Sequence, residues 1–460
     1  MFSTSTYIER RRRLRELIGS GLALFLGNEE SPMNYADNAY PFRQDSSFLY
    51  FFGLDAPGLD ALVDLDEGTE TVFGDEATMD DIVWTGPQKS VADLARMVGV
   101  RRSLPREKLA EILSRARTAG RAVLFLPPYR SDSILRLGSL VGIPPESVLD
   151  AASIRLVEAV VSLRAVKGEE EVAEIDTAAD VSVDMHLAAI TSARAGMVER
   201  ELAAEVRRVA LAAGGDIAFP IILSRDGETL HNHRHDNRLE EGDIVLCDFG
   251  AETRRHYCAD LSSSFPVSPA FTSRQREIYT ICLAAHEAAI SALRPDLPFV
   301  EVHVAACRAI ASGLSELGLM KGDVDEAVAA GAHALFFPCG TGHMMGLDAH
   351  DMENLGEERV GYGGLKRSAQ FGLKSLRLAR PLEPGFVVTI EPGIYFIPEL
   401  IDRWRAEGRF RDFIAWDRVE SYRDFGGLRN EEDFLILADG ARRLGKAKPK
   451  GIAEIEALRR

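Results

Sequence analysis

Cysteine is scarce in this sequence of 460 residues, and the five cysteines form no recognisable framework. All five lie after residue 240, and no CxxC pair occurs among them. A disulfide scaffold or a zinc ribbon needs paired cysteines at regular spacing, so neither class of protein is indicated. An odd number of cysteines without framework spacing suggests reduced thiols, and we therefore expect a cytoplasmic protein.

Basic residues are outnumbered, because 54 Lys and Arg stand against 71 Asp and Glu and give a formal net charge of −17. Nucleic-acid binding requires a basic face that neutralises phosphates, so this balance argues against a nucleic-acid partner. Residues 441–460 differ from the rest of the chain in that they are basic. We interpret them as a solvated basic tail, with positive charges at Arg442, Arg443, Lys446, Lys448 and Lys450.

Long apolar runs are missing as well, since no stretch approaches the roughly 20 apolar residues of a transmembrane helix. Residues 21–27 follow a basic run and superficially resemble a signal peptide, but Glu16 interrupts the pattern and no small-residue cleavage site follows. We predict instead a helix over residues 7–19 that leads into a buried strand, and no membrane partner. No strand is followed by a glycine-rich nucleotide-binding motif, so nucleotide binding has no support.

The length of the chain favours two domains. Residues 1–165 alternate between strand-like and helix-like segments, including a strand predicted over SFLYFFGL at 47–54, and this alternation predicts a layered α/β domain. A long amphipathic helix begins at Glu169, and the second half then follows the order helix pair, strands, helix pair, strands. We predict domains over residues 1–165 and 166–440, with residues 441–460 as the tail.

A hairpin over residues 231–264 organises the second half. IVLCD at 244–248 predicts a buried strand that ends in Asp248, and Asp260 lies on the returning strand. The two aspartates are symmetric about Arg254, so they could lie directly opposite one another. Like charges so placed destabilise a sheet, and in apolar surroundings they require a compensating cation. The alternative is a solvated hairpin tip with ordinary surface acids.

Three further metal-capable side chains follow: His343 in CGTGHMMGLDAHD, Glu391 in VVTIEPGIY and Glu431 in GGLRNEEDF. Each carboxylate lies beside an apolar strand, where a charge must be paired or bound. Four acids and one imidazole, with only Arg429 nearby as a cation, predict two divalent metal ions. The oxygen-rich donor set favours Mn²⁺ over a thiolate-type zinc site. Each signal is weak alone, because a Glu before Pro-Gly is commonly a turn residue and a lone His is commonly a core residue.

The order of these residues in their local contexts resembles the pita-bread metallopeptidases, and within them the aminopeptidase P and prolidase family. NAYPFRQDSSFLYFFGL at 38–54 also resembles the N-terminal domain of aminopeptidase P, so the resemblance covers nearly the entire chain. It implies an α/β (α+β) fold in which an N-terminal α/β domain precedes a creatinase/aminopeptidase-like, pita-bread catalytic domain. It also implies a dinuclear metal centre with two Asp, one His and two Glu as ligands: Asp248, Asp260, His343, Glu391 and Glu431.

The resemblance assigns a role to each ligand. Asp248 would bind one metal through both oxygens, Asp260 and Glu431 would bridge the pair, and His343 and Glu391 would complete the other metal. Glu391 would also pass a proton to the departing proline nitrogen.

Four further residues take roles from the same resemblance. His231 would steady the developing oxyanion, His350 would contact the substrate carbonyl, and Arg429 would hold a ligand carboxylate from behind. Cys339, in CGTGH, stands where family members usually carry a histidine that contributes to substrate binding or proton movement. A thiol does not take the same charged form near neutral pH, so Cys339 puts turnover or substrate preference in doubt and leaves metal binding intact.

The activity implied is hydrolysis of the bond between an N-terminal residue and a following proline, with a metal-bridging hydroxide as nucleophile. The partners implied are peptides with proline at the second position and further copies of the chain, as a homodimer or homotetramer. Three alternatives stay open. A prolidase would need a site closed to anything beyond a dipeptide, and a catalytically impaired pita-bread binding protein is suggested by Cys339. A creatinase-like amidinohydrolase would lack the metal ligands, all of which are present here.

Overall fold

The computed structural model describes residues 1–460, and the chain folds as two units. The first unit comprises residues 1–164 and 353–356, and the second comprises residues 165–352 and 357–460. None of the helices combines the length and the apolar character needed to cross a membrane.

The first unit is built on one mixed sheet of five strands in the order β4-β3-β2-β1-β5. Strand β1 pairs antiparallel with β2 and parallel with β5, and β3 pairs parallel with β4. Leu109, Leu113 and Leu137 project from two helices and join the buried core with Leu24 and Phe73 of the sheet. The α/β layering predicted for this half is therefore confirmed. Its elements are α1 Thr4–Ile18, β1 Leu22–Leu26, α2 Ser46–Phe52, β2 Asp60–Asp64, β3 Thr69–Phe73, α3 Met79–Thr85, α4 Val91–Met97, β4 Arg102–Leu104, α5 Glu107–Thr118, β5 Val123–Phe125, α6 Ser131–Val141, the 3-10 turn Pro145–Ser147 and α7 Ile154–Ala165.

The strand predicted over residues 47–54 is wrong, because Ser46–Phe52 form helix α2. Asp45 caps this helix by accepting a hydrogen bond from the Phe48 N–H at 2.9 Å. Gly53 ends it in the left-handed conformation at φ 61°. All seven residues of α2 are buried, so the sequence shows neither the period of two typical of a strand nor the period of 3.6 typical of a helix.

The second unit contains two three-stranded sheets, β10-β8-β7 and β11-β14-β15, and two smaller two-stranded sheets. Helices α8 and α9 precede the first set of strands, and α10 and α11 precede the second, as the sequence predicts. Its elements are α8 Glu169–Ser192, α9 Glu199–Ala212, β6 Asp216–Ile217, β7 Ile222–Ser224, β8 Ile244–Phe249, β9 Ala251–Glu252, β10 Leu261–Pro266, α10 Ser273–Ala292, α11 Phe299–Glu316, α12 Val324–Ala330, the 3-10 turns Ala332–Leu335, Glu353–Leu355 (in the first unit) and Leu373–Ser375, α13 Glu357–Val360, β11 Val387–Ile390, β12 Gly393–Tyr395, α14 Pro398–Ala406, α15 Trp416–Glu420, β13 Gly427–Arg429, β14 Glu432–Leu437, β15 Gly440–Arg443 and α16 Ile452–Leu458.

The hairpin of β8 and β10 has a different register from the symmetric one that we predicted. Asp248 lies opposite Ser262, not opposite Asp260. The midpoint of the hairpin lies one residue after the predicted midpoint, Arg254. The Thr253 N–H donates to the Tyr257 carbonyl at 2.9 Å and closes the loop of residues 253–257. Alternate side chains of a strand share one face, so Asp260 remains on the face of Asp248 but is displaced along the strand by two residues.

The solvated tail predicted for residues 441–460 is also wrong. Strand β15 pairs antiparallel with β14, and α16 follows it. Lys448 is only 4% exposed and donates to the Ser262 carbonyl, while Lys450 forms an ion pair of 2.8 Å with the buried Glu432. Both lysines are therefore bound to polar groups of the unit, and the segment is not a free solvated tail.

Candidate metal centre

The side chains that the sequence singles out converge on one cavity of about 630 Å³ in the second unit. Four strand ends and one loop supply the five predicted ligands, which are far apart in the sequence. The structure brings all nine predicted site residues to the wall of this cavity, namely His231, Asp248, Asp260, Cys339, His343, His350, Glu391, Arg429 and Glu431.

Backbone pairing explains why these strand ends meet. Ser262 of β10 lies opposite Asp248 and also forms an isolated β-bridge with Glu431, which places Glu431 beside the aspartate hairpin. On the other side, the loop that carries His343 runs alongside β11. Its Thr341 carbonyl accepts the Glu391 N–H at 2.8 Å, and this hydrogen bond fixes His343 and Glu391 next to each other.

The five ligand candidates form two overlapping groups in which the donor atoms lie within 4.8 Å of one another. One group contains Asp248, Asp260 and Glu431, and the other contains His343, Glu391 and Glu431. Glu431 belongs to both groups, so the arrangement offers two adjacent cation positions that share a carboxylate. His343 directs Nε2 towards this centre, since its Nδ1 is hydrogen-bonded to the Met344 carbonyl at 3.0 Å.

Two carboxylate oxygens are available to bind cations. Asp248 Oδ1 and Asp260 Oδ1 are buried and have no hydrogen-bond partner in the protein. Burial, reinforced by the charge of Asp248, raises the pKa of Asp260 well above its ordinary value. Burial and the charge of Asp260 do the same to the pKa of Glu431, and burial also raises the pKa of Glu391. Divalent cations bound to these oxygens would satisfy the unpaired acceptors and offset the repulsion between the acids.

Arg429 supports the centre from behind. Its guanidinium donates to Asp248 Oδ2, to the Tyr395 hydroxyl at 2.6 Å and to Ser262 Oγ at 3.0 Å. Ser262 Oγ in turn donates to Glu431 Oε2 at 2.7 Å. One buried cation and one hydroxyl therefore orient carboxylates of two different strands. Sequence analysis missed Ser262, although its place two residues after Asp260 puts both side chains on one face of the strand.

Asp433 is a second residue that sequence analysis missed. It is fully buried, and its Oδ2 accepts the backbone N–H of Asp260 at 3.0 Å. Burial raises the pKa of Asp433 well above its ordinary value, with a further contribution from the charge of Asp260. This contact fixes the backbone from which Asp260 projects. The sequence signal was hidden, because Asp433 ends a run of three acids of which only Glu431 was singled out.

Histidine side chains line the remaining wall of the cavity. The rings of His343 and His350 pack edge to face with centroids 4.4 Å apart, and His350 also lies within 4.8 Å of Asp260. Partial burial and the nearby positive charge of Arg429 lower the pKa of His231, so its imidazole is neutral at physiological pH and retains an N–H donor.

Cys339 lies in the same wall and provides a different kind of group. Burial and the neighbouring charge of Glu391 raise the pKa of this thiol to about 12. It is therefore neutral at physiological pH and supplies neither the positive charge nor the proton transfer that an imidazole would supply at this position.

Two segments of the chain match known sequence families, and the residues that line the cavity lie in the longer one. Residues 173–438 match Metallopeptidase family M24, and residues 7–129 match the aminopeptidase P N-terminal domain. The chain is 29% identical to the Xaa-Pro dipeptidase of Homo sapiens, over 98% of this chain and 90% of the relative. It is also 29% identical to the Xaa-Pro aminopeptidase of Escherichia coli, over 99% of this chain and 98% of the relative.

A solved structure shares the fold over the whole length. The Zn-substituted aminopeptidase P of Escherichia coli in complex with product superposes with a TM-score of 0.82 at 29% sequence identity. The superposition covers 100% of this chain and 98% of that chain. The predicted fold, an N-terminal α/β domain followed by a pita-bread domain, is thereby confirmed.

Proposed function

The chain belongs to metallopeptidase family M24, and on that premise we propose that it is an Xaa-Pro aminopeptidase. It would hydrolyse the bond between an N-terminal residue and a following proline in peptides longer than two residues. The observation that carries the proposal is the convergence of five metal-ligand candidates and two further histidines on one cavity of about 630 Å³. A cavity of this size lies within the range of about 300–1,000 Å³ that is typical of small-ligand sites.

Bound at the overlapping carboxylate groups, a pair of divalent ions would generate a nucleophile from water near neutral pH and polarise the scissile carbonyl. The neutral imidazole of His231 would donate a hydrogen bond to the developing oxyanion. Glu391 would take up the proton released by the attacking water and pass it to the departing proline nitrogen. His350 would position the substrate carbonyl, and the apolar Phe219 and Ile222 in the wall would contact the substrate's prolyl ring.

Manganese is the metal that we propose for the centre. Four of the five donor side chains are carboxylates, and such an oxygen-dominated set is typical of Mn²⁺ and similar hard ions. Metal analysis of the purified protein should show two divalent ions per chain in this centre. After removal by a chelator, Mn²⁺ should restore activity more fully than Zn²⁺ does.

A second candidate function is that of an Xaa-Pro dipeptidase. Arg377 also lines the cavity and carries a guanidinium of the kind that binds a free C-terminal carboxylate. Arg377 is, however, held by Glu357 at 2.7 Å, which reduces its capacity to bind another anion.

Comparison of an Xaa-Pro dipeptide with an Xaa-Pro-Xaa-Xaa tetrapeptide, on one Mn²⁺-loaded sample, tests the proposal. We expect cleavage of the tetrapeptide after its first residue. Cleavage of the dipeptide alone would establish the dipeptidase, and binding of both peptides without cleavage would establish an impaired binding protein. Asp260→Asn should abolish activity and weaken metal uptake together, whereas the exposed Asp439→Asn serves as a matched control that changes neither.

Cys339 allows a separate test of the wall. Replacing it with histidine would introduce a side chain that titrates near neutral pH and can donate or accept a proton. We expect Cys339→His to raise kcat/KM for the tetrapeptide and to add an acidic limb to the pH profile, while Cys339→Ala leaves the profile unchanged in shape. Equal pH profiles for the His and Ala variants would show that this position takes no part in turnover.

The proposal includes assembly as a homodimer or homotetramer in the cytoplasm. Helix α3 supports assembly, because Met79, Val83 and Trp84 are 72%, 71% and 85% exposed and form an apolar surface. Light scattering should give a multiple of the chain mass, and Trp84→Glu should lower it. None of the five cysteines forms a disulfide, which supports a reducing compartment.

A further inference from the structure

A cluster of three buried side chains lies in the second unit and shares no residue with the carboxylate centre. His303 and Cys307 are four residues apart on α11, which places them on one face of the helix. His333 approaches them from the 3-10 turn Ala332–Leu335. We call these three residues the histidine–cysteine cluster. A donor atom from each lies within 4.8 Å of the other two.

The distance between two donor atoms of the cluster is close to that in a tetrahedral metal site. Cys307 Sγ and His303 Nε2 are 3.3 Å apart. Zinc binds sulfur at about 2.3 Å and nitrogen at about 2.0–2.1 Å, so tetrahedral ligand atoms of these two kinds are separated by about 3.5 Å. Small rotations of His333 would bring the third donor to the same ion.

His333 gives an independent indication that a ligand belongs here. It is only 1% exposed, and neither of its ring nitrogens has a hydrogen-bond partner in the protein. A buried imidazole normally satisfies at least one nitrogen, because an unpaired buried donor or acceptor destabilises the fold. A metal ion between His333 and Cys307 would satisfy it.

The contacts of His303 are also those expected of a histidine that binds a metal ion. Its Nδ1 is hydrogen-bonded to Thr341 Oγ1 at 2.8 Å, and this contact orients Nε2 towards Cys307. Metal-binding histidines are commonly held through their second nitrogen in this way. The ring of Phe337 packs against His303 with centroids 5.5 Å apart and excludes water. In these apolar surroundings burial lowers the pKa of both imidazoles, which keeps them in the neutral form that binds metal.

We propose that His303, Cys307 and His333 bind one zinc ion, at a third metal position that is chemically distinct from the carboxylate centre. Two imidazoles and one thiolate form a soft donor set that selects zinc, whereas the carboxylates select a harder ion. On binding, Cys307 loses its proton to solvent, and the thiolate bonds to the metal. The ion would link α11 and the His333 turn to Thr341, and so would brace the loop that carries Cys339 and His343.

Zinc titration of the chelator-stripped full chain, with metal analysis after removal of unbound zinc, tests the stoichiometry. We expect three zinc ions per chain in the wild type and two in Cys307→Ser. Substitution with cobalt(II) adds a spectroscopic test, since a thiolate ligand to cobalt gives a charge-transfer band in the near ultraviolet. This band should appear in the wild type and be absent from Cys307→Ser.

Two control variants separate the cluster from the carboxylate centre. Asp260→Asn, which weakens only that centre, and Cys339→Ser, which removes the thiol of the cavity, should both retain the cobalt band. Loss of the band in either variant would overturn the proposal, and so would a wild type that binds two zinc ions and shows no band. His333→Phe keeps the thiol and the packing while removing one ligand, so it should also bind one zinc ion fewer. A His333→Phe protein with the wild-type stoichiometry would equally overturn the assignment.

Discussion

The buried carboxyl of Asp260 should destabilise the metal-free protein at neutral and alkaline pH, and Asp260→Asn should therefore stabilise it. The native pKa of Asp260 is raised above its ordinary value of 3.8, because burial and the charge of Asp248 disfavour the ionised form. Between the ordinary pKa and the raised one, the native state binds more protons than the unfolded state. Stability consequently falls as the pH rises through this window. Asparagine does not titrate, so the variant lacks that fall.

The magnitude follows from the geometry of the acids. Asp260 is 5% exposed, and its donor oxygen lies within 4.8 Å of those of Asp248 and Glu431. At an effective dielectric constant of about 20, two unit charges at this separation repel by about 3.5 kcal/mol. One such repulsion predicts that Asp260→Asn raises the free energy of unfolding by about 3 kcal/mol at pH 8. The difference between variant and wild type should shrink towards zero as the pH approaches 4.

Urea unfolding in the presence of a chelator, followed by tryptophan fluorescence from pH 5 to pH 8, measures this difference. Asp439→Asn replaces an exposed aspartate of the same unit, and its midpoint should follow the wild type at every pH. With saturating Mn²⁺ the order should reverse, because two ions, each at 100 times its Kd, would stabilise the wild type by about 5 kcal/mol, which is more than the variant gains in chelator. A pH-independent difference between Asp260→Asn and the wild type in chelator would refute the reasoning.

Three further changes test other parts of the structure. Arg429→Met removes the buried guanidinium that orients Asp248, and it should weaken metal affinity about 10–100-fold in a competition assay with a chelator. Unchanged affinity would contradict the role of Arg429. Gly53 has a φ of 61°, and a Cβ added there would lie 2.2 Å from the Tyr7 ring. Gly53→Ala should therefore lower the urea midpoint well below that of the control Gly68→Ala, where φ is 65° and no atom lies within 4 Å of the added Cβ. Equal midpoints would contradict the close approach. Burial lowers the pKa of Lys448 from 10.5 to about 8, so between these pH values the unfolded state binds more protons and the stability of the wild type rises with pH. Urea midpoints of Lys448→Met, measured from pH 8 to pH 10, should lack this rise. Parallel curves for variant and wild type would contradict the lowered pKa.

The fold could be predicted wherever an element buries one face and exposes the other. In α9, Leu202, Val206 and Ala210 repeat every four residues and are all buried, so the sequence period indicates this helix. Helix α2 was mistaken for a strand because it is buried on every side and its sequence has no period. The hairpin register failed for another reason. Backbone hydrogen bonds in the loop of residues 253–257 set it, and no side-chain pattern reports those bonds.

Some residues of the site could likewise be predicted from the sequence, and others could not. A carboxylate at the end of an apolar strand is conspicuous in sequence because burying a charge is costly, and this contrast singled out Asp248 and Glu391. Ser262 was missed because a hydroxyl on a strand is unremarkable until its partners, Arg429 and Glu431, are known. The histidine–cysteine cluster depends on how the turn of His333 packs against α11, which the sequence does not record.

Charge balance explains why the carboxylate centre suits the chemistry proposed for it. The four carboxylates and the guanidinium of Arg429 carry a net charge of −3 when all are ionised. Burial disfavours that fully ionised state, so the pKa values of Asp260, Glu391 and Glu431 are raised and these carboxyls retain protons in the metal-free protein. Two divalent cations bound there would displace those protons and change the net charge to +1. A buried positive site of this kind stabilises an anionic nucleophile and a developing oxyanion, whereas a single cation would leave the site negative and oppose both. Occupancy of the two positions should therefore be coupled, and catalysis should require both.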